Sequence, residues 1–322
     1  MTRNDSIAIV VGGTAGVGRA VVEAFLAEGY RVGVVARGEA RLQAMENEFP
    51  GRVKTASADA GVAEQLDRAT DNLVQALGIP RAWINCAMLT SFSPFEMMEV
   101  EEFEQITRAT YLGQVNGTRA ALRVMGRGNI VNVGSGLGYR AIPFQSAYSG
   151  AKHAINGFTA AVRSELMRDG HPVKLSLVQL PAMNTPQFDW ARNRLPERPQ
   201  PAPPVFQPEV AARAVLRAIE TGPRELLVGK SVLQLVFGDM VLPDWLDRKL
   251  ADEGVEMQKS GERDSGNRPD NIYEPVDHPS TAHGRFEKRA KDSGIIVDGD
   301  VARKVVFFGI PAVAFLSGAV IF

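Results

Sequence analysis

The sequence predicts an α/β protein built on a doubly wound parallel sheet, with a C-terminal extension. Between residue 6 and about residue 230, short β-branched runs alternate with amphipathic stretches of helical length. Several runs are apolar at every position, which is typical of strands buried on both faces of a helix-covered sheet. A glycine-rich turn directly follows the first run, at the strand end where such sheets place a ligand-binding loop.

The predicted elements follow one another in the order expected of such a sheet. Helices are indicated at Arg19–Glu28, Val62–Leu77 and Ala147–Arg168, where apolar residues recur at helical spacing. The seven predicted strands are Ile7–Val11, Arg31–Val35, Val53–Ser57, Ala82–Asn85, Asn129–Val133, Lys174–Leu180 and Glu225–Val228.

Composition excludes several classes of protein. The chain has 322 residues, 45% of them hydrophobic and 23% charged, which is unlike a disordered, collagen-like or polytopic membrane protein. A formal net charge of -1 lacks the positive field of a general nucleic-acid binder. A single cysteine, Cys86, forbids an intrachain disulfide and indicates a reducing compartment, and the histidines lack the spacing of a zinc site. We therefore expect a cytoplasmic protein without a metal.

The chain divides into three predicted parts: a catalytic domain over residues 1–250, a polar extension or linker over 251–304, and a hydrophobic segment over 305–322. The last segment has no charged residue and follows Arg303 and Lys304. As a helix it would be about 27 Å long, close to the ~30 Å thickness of the hydrocarbon core. It is consistent with a membrane anchor, although Gly309, Pro311 and Gly318 weaken a span; the alternative is a tail docked on its own domain or on a dimer partner.

One proline-rich stretch, Leu195–Pro204, has five prolines in ten residues. Such a stretch forms a loop or polyproline II, because proline fixes φ and has no amide proton for a sheet. It is either a rigid connector or the edge of a lid over a substrate cleft.

The glycine-rich turn indicates a site for a pyrophosphate. Gly12, Gly16 and Gly18 follow the first strand, with Thr14 and Val17 between them, and a helix follows. Glycine lets a phosphate approach the main chain, and the start of the helix adds partial positive charge.

Arg37 indicates which of the two nicotinamide dinucleotides the site binds. At the end of the second strand, an NAD-binding sheet places a carboxylate for the ribose 2′-hydroxyl, whereas here Ala36 and Arg37 follow the strand. A guanidinium pairs with a 2′-phosphate, and Arg19 is a candidate second cation. The sequence therefore predicts NADP(H), unless Arg37 is only a solvated loop residue.

A possible acid–base group lies downstream. Ser135 ends a predicted strand, and Tyr148 and Lys152 are four residues apart, on one face of a helix. Ionising a tyrosine at pH 7 costs about 4 kcal/mol against a pKa near 10. One cation at ~4 Å supplies about that much at an effective dielectric of ~20. The spacing therefore predicts that Lys152, helped by an oxidised nicotinamide, makes Tyr148 a usable acid–base and that Ser135 hydrogen-bonds the substrate oxygen.

These residues together resemble the short-chain dehydrogenase/reductase family. The resemblance rests on the glycine loop, on Asn85-Cys86-Ala87 and on Ser135 with Tyr148-x-x-x-Lys152, and it extends from residue 6 to about residue 230. It implies a Rossmann fold, hydride transfer between a nicotinamide and an alcohol or ketone, and a homodimer or homotetramer. It also implies that Lys152 binds the nicotinamide ribose and that Asp59 contacts the adenine. The other residues that the resemblance places at the cofactor are Asn85 and Ala87, beside it, and Pro181 and Thr185, near the carboxamide.

Some positions depart from the family pattern. Thr110 occupies the place where the family usually has an asparagine that supports a water relay to the lysine, so Thr110 is a catalytic candidate whose hydroxyl would hold that water. Val11, Cys86, Met88 and Ala182 also differ from the residues usual in the family.

The resulting hypothesis is an NADP(H)-dependent oxidoreductase that interconverts a small-molecule carbonyl and an alcohol. Phe188 and Trp190, which follow Thr185, are either pocket-lining or scattered surface aromatics; as pocket residues, together with the apolar tail, they suggest a lipophilic substrate. The rival hypothesis is a catalytically impaired NADP(H)-binding regulatory or scaffold protein, which Thr110 favours. In a third, residues 231–322 form a partner-binding arm.

Overall fold

The computed structural model describes residues 6–309, and it confirms the predicted fold class. Eight strands form a mostly parallel central sheet in the order β3-β2-β1-β4-β5-β6-β7-β8. The first seven run parallel, and β8 pairs with β7 in the antiparallel direction. The strands are β1 (Ile7–Val11), β2 (Arg31–Ala36), β3 (Val53–Ser57), β4 (Ala82–Asn85), β5 (Gly128–Ser135), β6 (Val173–Leu180), β7 (Glu225–Val228) and β8 (Ile296–Asp298).

Helices cover both faces of the sheet. Those used below are α1 (Gly16–Ala27), α2 (Glu39–Glu48), α3 (Ala63–Leu77), α4 (Val100–Thr107), α5 (Gly113–Val124), α6 (Ser146–Arg168), α7 (Gln187–Trp190), α8 (Pro208–Thr221), α9 (Gly229–Val241), α10 (Pro243–Glu256) and α11 (Gly299–Lys304).

The apolar strand runs are explained by two separate cores. Ala8 and Val10 of β1 pack in the layer that contains α1 and α8, whereas Ile9 and Val11 pack in the layer that contains α3 and α5. Successive side chains of a strand point to opposite faces, so burial on both faces requires a run without polar positions. Because β1 lies between β2 and β4, the connections diverge there and open a crevice at the carboxyl ends of the strands.

The segment 251–304 packs against the catalytic domain along much of its length. It contributes β8 to the central sheet, and Lys259–Arg263 pairs with Glu197–Pro199 in a small antiparallel sheet. Ile272, Ala282 and Phe286 of this segment are buried. Several of its charged side chains form ion pairs with the domain, so the segment is not a purely solvated arm.

Only the start of the hydrophobic segment 305–322 is described. Val305–Gly309 continues α11 as a π-helical turn, and the rest of the predicted membrane anchor lies outside the described residues. Within residues 6–309, every helix falls short of the length and apolar character that crossing a membrane requires.

Candidate active site

A cavity of about 720 Å³ lies in the crevice at the carboxyl ends of the strands. Most of the predicted site residues line it. They are Gly12, Thr14, Gly16, Val17, Gly18, Arg37, Asp59, Ala87, Ser135, Tyr148, Lys152, Pro181 and Thr185.

The glycine loop is shaped by close approaches of main chain to main chain. Gly12 has φ of +85°, and a Cβ there would lie 2.5 Å from the amide nitrogen of Ala87. A Cβ on Gly18 would collide with the carbonyl oxygen of Gly12. The loop therefore requires glycine at these positions, and it leaves bare main chain beside the end of β4 and the start of α1.

Two predicted residues, Asn85 and Thr110, lie behind the cavity wall, and both are fully buried. The Asn85 amide donates to the Asn132 side chain at 2.8 Å and accepts from the Trp83 indole at 2.9 Å. The Asn85 side chain thus ties β4 to β5, while its neighbours Cys86 and Ala87 face the cavity.

The Thr110 hydroxyl is engaged by the main chain of a single residue. It accepts from the Leu89 amide at 2.9 Å and donates to the Leu89 carbonyl at 3.0 Å. Thr110 lies in the π-helical turn Arg108–Leu112 between α4 and α5. Its side chain therefore fixes Leu89, which lines the cavity, and its role in holding a relay water stays a prediction.

Ser135, Tyr148 and Lys152 meet at one end of the cavity. Ser135 ends β5, and α6 carries the other two residues one turn apart. The Tyr148 phenol hydrogen-bonds with Ser135, and the Lys152 ammonium lies 5.5 Å from the centre of the Tyr148 ring. Lys152 donates to the carbonyl of Val133 at 2.7 Å, and the Gln114 amide donates to the same oxygen at 2.9 Å.

Burial dominates the proton affinities of this group. Burial raises the pKa of Tyr148 to about 12, against the hydrogen bond from Ser135, which lowers it. Burial also lowers the pKa of Lys152 to about 8. Both shifts favour the neutral form, because a buried charge loses the solvation of water. The direction is opposite to the lowering of the Tyr148 pKa that the sequence predicted from Lys152 and an oxidised nicotinamide; in this structure the group that lowers it is Ser135.

Two arginines line the far end of the cavity. Arg37 follows β2, and Arg41 lies one turn further along, in α2, with its guanidinium 5.3 Å from the centre of the Trp190 ring. Burial lowers the pKa of both guanidinium groups, and the charge of Arg37 lowers that of Arg41 further. Among the described residues, neither guanidinium has a carboxylate within 4.0 Å, while the charges of Asp59 and Glu274 raise the pKa of Arg37 and that of Asp277 raises the pKa of Arg41.

Arg19, the second cation suggested by the sequence, is directed elsewhere. Its guanidinium pairs with Glu23 at 2.6 Å and also with Glu48 on α2. Arg41 was missed, although its position four residues after Arg37 at the start of a helix was a usable signal.

The C-terminal extension contributes residues 271–281, here called the strap, to this end of the site. Arg37 donates to the carbonyl oxygens of Asn271 at 2.6 Å, Ile272 at 3.3 Å and Tyr273 at 3.1 Å. The Ser280 hydroxyl donates to the Thr14 carbonyl at 2.8 Å. The strap therefore forms part of the wall around the glycine loop, and sequence analysis gave no sign of it.

The remaining wall of the cavity is mostly apolar. Gln200–Pro204 from the proline-rich stretch lies along it, opposite residues of α9 and α10. Phe188 and Trp190 of α7 also line it, as do Leu137, Ile142, Met183, Leu235, Leu246 and Leu250.

Comparison with known proteins gives consistent results. A family model described as short chain dehydrogenase matches residues 6–194, a range that includes the glycine loop, Ser135, Tyr148 and Lys152. The chain is similar to an uncharacterized oxidoreductase of Bacillus subtilis, YxnA, with 28% identity over 254 residues, covering 76% of this chain and 71% of that protein. It is similar to the 3-oxoacyl-[acyl-carrier-protein] reductase of Bos taurus, with 29% identity over 167 residues, covering 51% of this chain and 70% of that protein.

A solved short-chain dehydrogenase from Streptomyces avermitilis superposes with a TM-score of 0.64 at 26% sequence identity. The match covers 98% of that chain but 78% of this one, so part of this chain has no counterpart there.

Proposed function

The chain belongs to the short-chain dehydrogenase family of oxidoreductases, and we propose that it interconverts a carbonyl and an alcohol with NADP(H), acting on a lipophilic substrate. One observation carries the proposal. Ser135, Tyr148 and Lys152 line the same cavity as the glycine loop, so an acid–base group and a dinucleotide site share one space.

The residues along the cavity fit a nicotinamide dinucleotide. The glycine loop and the start of α1 line the cavity with bare main chain, and the main-chain amides at the start of a helix suit a pyrophosphate. We propose that Asp59 contacts the adenine, that Lys152 binds the nicotinamide ribose, and that Pro181 and Thr185 contact the carboxamide. The wall of this part of the cavity is completed by Thr14, Val17 and Ala87, and the buried Asn85 side chain supports that wall from behind.

The arginine pair supports NADP(H) over NAD(H). A 2′-phosphate brings up to two negative charges, and Arg37 and Arg41 supply two positive charges without a bonded carboxylate among the described residues. The three strap carbonyls hold the Arg37 guanidinium in place without neutralising it, because a carbonyl carries no net charge.

The chemistry follows from the arrangement of the side chains. The bound nicotinamide supplies or accepts the hydride. In the direction of reduction, Ser135 donates a hydrogen bond to the substrate oxygen, and Tyr148 gives its phenolic proton to the same oxygen as negative charge develops there. A pKa of about 12 keeps Tyr148 protonated and ready to donate at neutral pH. Lys152 stabilises the tyrosinate left behind, since its ammonium lies beside the ring.

Thr110 is a positioning residue in this proposal. Its hydroxyl holds both main-chain groups of Leu89, and Leu89 lines the cavity next to the catalytic group. The rival function, a catalytically impaired NADP(H)-binding protein, is favoured by the same contact, because it uses the only proton of the Thr110 hydroxyl and leaves one acceptor lone pair for a relay water.

Purified full-length protein with NADPH and a panel of apolar ketones and quinones distinguishes the two functions. We expect turnover that Tyr148→Phe abolishes while NADPH binding, measured by calorimetry, is kept. Tight NADPH binding without turnover on any carbonyl of the panel would favour the impaired binding protein instead.

A further inference from the structure

The turn between α9 and α10 exposes a group of large apolar side chains. Met240, Val241, Leu242 and Trp245 are each between 53% and 70% exposed, and we call them the apolar tip. α9 ends at Val241 and α10 begins at Pro243, so the four side chains lie together on one projecting turn. Single exposed apolar residues are common, but a contiguous group marks a contact surface.

The apolar tip adjoins the mouth of the cavity. Trp245 lines the cavity although half of its surface is exposed, so it lies at the entrance. Leu246 and Leu250 continue from it along α10, and Leu235 faces the cavity from α9. These side chains give an apolar molecule at the tip a run of apolar contacts into the cavity.

The charges around the apolar tip are balanced within the protein. Arg140 pairs with Asp239 at 3.0 Å and with Asp247 at 2.5 Å, and Arg248 pairs with Asp244 at 2.9 Å. The Lys249 ammonium lies 5.2 Å from the centre of the Trp245 ring. Because no excess of positive charge surrounds the tip within the described residues, any attraction there comes from apolar contact rather than from net charge.

The described part of the C-terminal segment packs against α9. Ala302 of α11 packs in one cluster with Val232 and Val236, and the Phe307 ring lies 6.4 Å from that of Phe237. Phe308 is largely exposed. Phe237 lies one turn before the tip, and the sequence after Gly309 continues without a charged residue to Phe322.

We propose that the apolar tip binds the surface of a lipid bilayer and that the lipophilic substrate enters the cavity from the membrane past Trp245. The substrate route rests on the proposed function, whereas membrane binding does not. A second protein seated on the tip would cover Trp245 and close the entrance, but lipid chains exchange small apolar molecules. A tryptophan at the border of an exposed apolar surface is also typical of proteins at a membrane interface.

Binding of the full chain to phosphatidylcholine vesicles, measured by co-sedimentation, tests the proposal. The test variant is Met240→Ser/Val241→Ser/Leu242→Ser, and the control is Ile79→Ser/Met167→Ser, which removes exposed apolar surface at distant sites. We expect the test variant to lower the partition coefficient about tenfold or more, the control to change it less than about twofold, and 0.5 M salt to have little effect.

Truncation after Gly309 separates the tip from the apolar C-terminal sequence. In the truncated protein we expect vesicle binding that is weaker but still lost in the tip variant. Circular dichroism shows that each variant is folded, and the single change Val241→Asp repeats the test with less perturbation. Equal binding by the tip and control variants would overturn the proposal, as would a tip variant that alters only the oligomeric state in size-exclusion chromatography.

The substrate route has its own readout. With a ketone dissolved in vesicles, we expect the tip variant to raise KM several-fold, while KM for a water-soluble ketone is unchanged. Equal KM values of the wild-type protein and the tip variant for the vesicle-dissolved ketone would overturn the proposed route. Absence of turnover with every ketone would instead contradict the proposed function, and the binding assay would still decide whether the tip binds lipid.

Discussion

The main-chain amide of Gly16 donates a hydrogen bond to the carbonyl of Thr281 at 2.9 Å. The first of these residues begins α1 at the glycine loop, and the second lies in the strap near the end of the chain. The C-terminal extension is thus bonded to the loop on which the proposed cofactor site depends. Loss of strap contacts should therefore affect the loop as well as the extension.

Ser280→Ala tests how much the strap stabilises the loop. The Ser280 hydroxyl donates to the Thr14 carbonyl at 2.8 Å and accepts from Arg19 at 3.1 Å. Removing both bonds should lower the free energy of unfolding by about 1–2 kcal/mol, measured by urea denaturation. Thr221→Ala is the matched control, because its exposed hydroxyl bonds only to Arg217 in its own helix, and it should change stability by less than about 0.5 kcal/mol.

Arg37→Glu tests the choice of cofactor. We expect the Kd for NADP(H) to rise about tenfold or more, since the change removes a charge-assisted contact and adds repulsion, while the Kd for NAD(H) changes less. Calorimetry of both cofactors provides the measurement. Arg41→Gln should show a smaller effect in the same direction, and Arg168→Glu, an exposed arginine at the end of α6, should show none. If Arg37→Glu weakened the binding of NADP(H) and of NAD(H) equally, the assignment of NADP(H) as the cofactor would be contradicted.

Tyr148→Phe should reduce kcat by about 10²–10⁴-fold, because the substrate oxygen loses its proton donor. The Kd for NADPH should stay within about twofold, since the ring and its packing are kept. Tyr111→Phe serves as a control, because that ring packs against Phe158 and should leave kcat unchanged. Steady-state and binding measurements on the same preparations separate the two effects.

Thr110→Val removes a hydroxyl at nearly constant volume and leaves the buried amide and carbonyl of Leu89 without that partner. We expect a loss of about 1–3 kcal/mol in the free energy of unfolding. If Thr110 acts by positioning Leu89, KM should rise more than kcat falls, and Thr110→Ser should restore both. Thr107→Val is the control, because the Thr107 hydroxyl bonds only to Phe103 in its own helix. A selective fall in kcat with unchanged KM would indicate a relay instead.

The buried Lys152 predicts a particular pH dependence of stability. Its pKa is about 8 in the folded protein against an ordinary value of 10.5, so between these values the unfolded chain binds more protons. The free energy of unfolding should therefore rise as pH increases from about 8 to 10, by an amount on the order of 2 kcal/mol. Urea denaturation across this range should show the rise in the wild-type protein and not in Lys152→Met. Above pH 10 the raised pKa of Tyr148 acts in the opposite direction.

The central sheet could be predicted because its information is local. The runs at Ile7–Val11 and Glu225–Val228 match the observed strands, since burial on both faces leaves its mark in consecutive residues. By contrast, β8 has three residues and is set by pairing with β7, so no local pattern identifies it.

The candidate site was predictable to a similar degree. Tyr148 and Lys152 could be placed together because residues four apart share one face of a helix, and both line the cavity with Ser135. The hydroxyl of Thr110 and the guanidinium of Arg19 have partners that depend on tertiary packing, Leu89 in one case and Glu48 in the other. Their directions could not be read from the sequence for that reason.

The bond between Ser280 and Thr14 joins residues 266 positions apart. During translation, the glycine loop therefore emerges from the ribosome long before the residues that complete its surroundings. This end of the site therefore stays open in the nascent chain until residues 271–281 have left the ribosome.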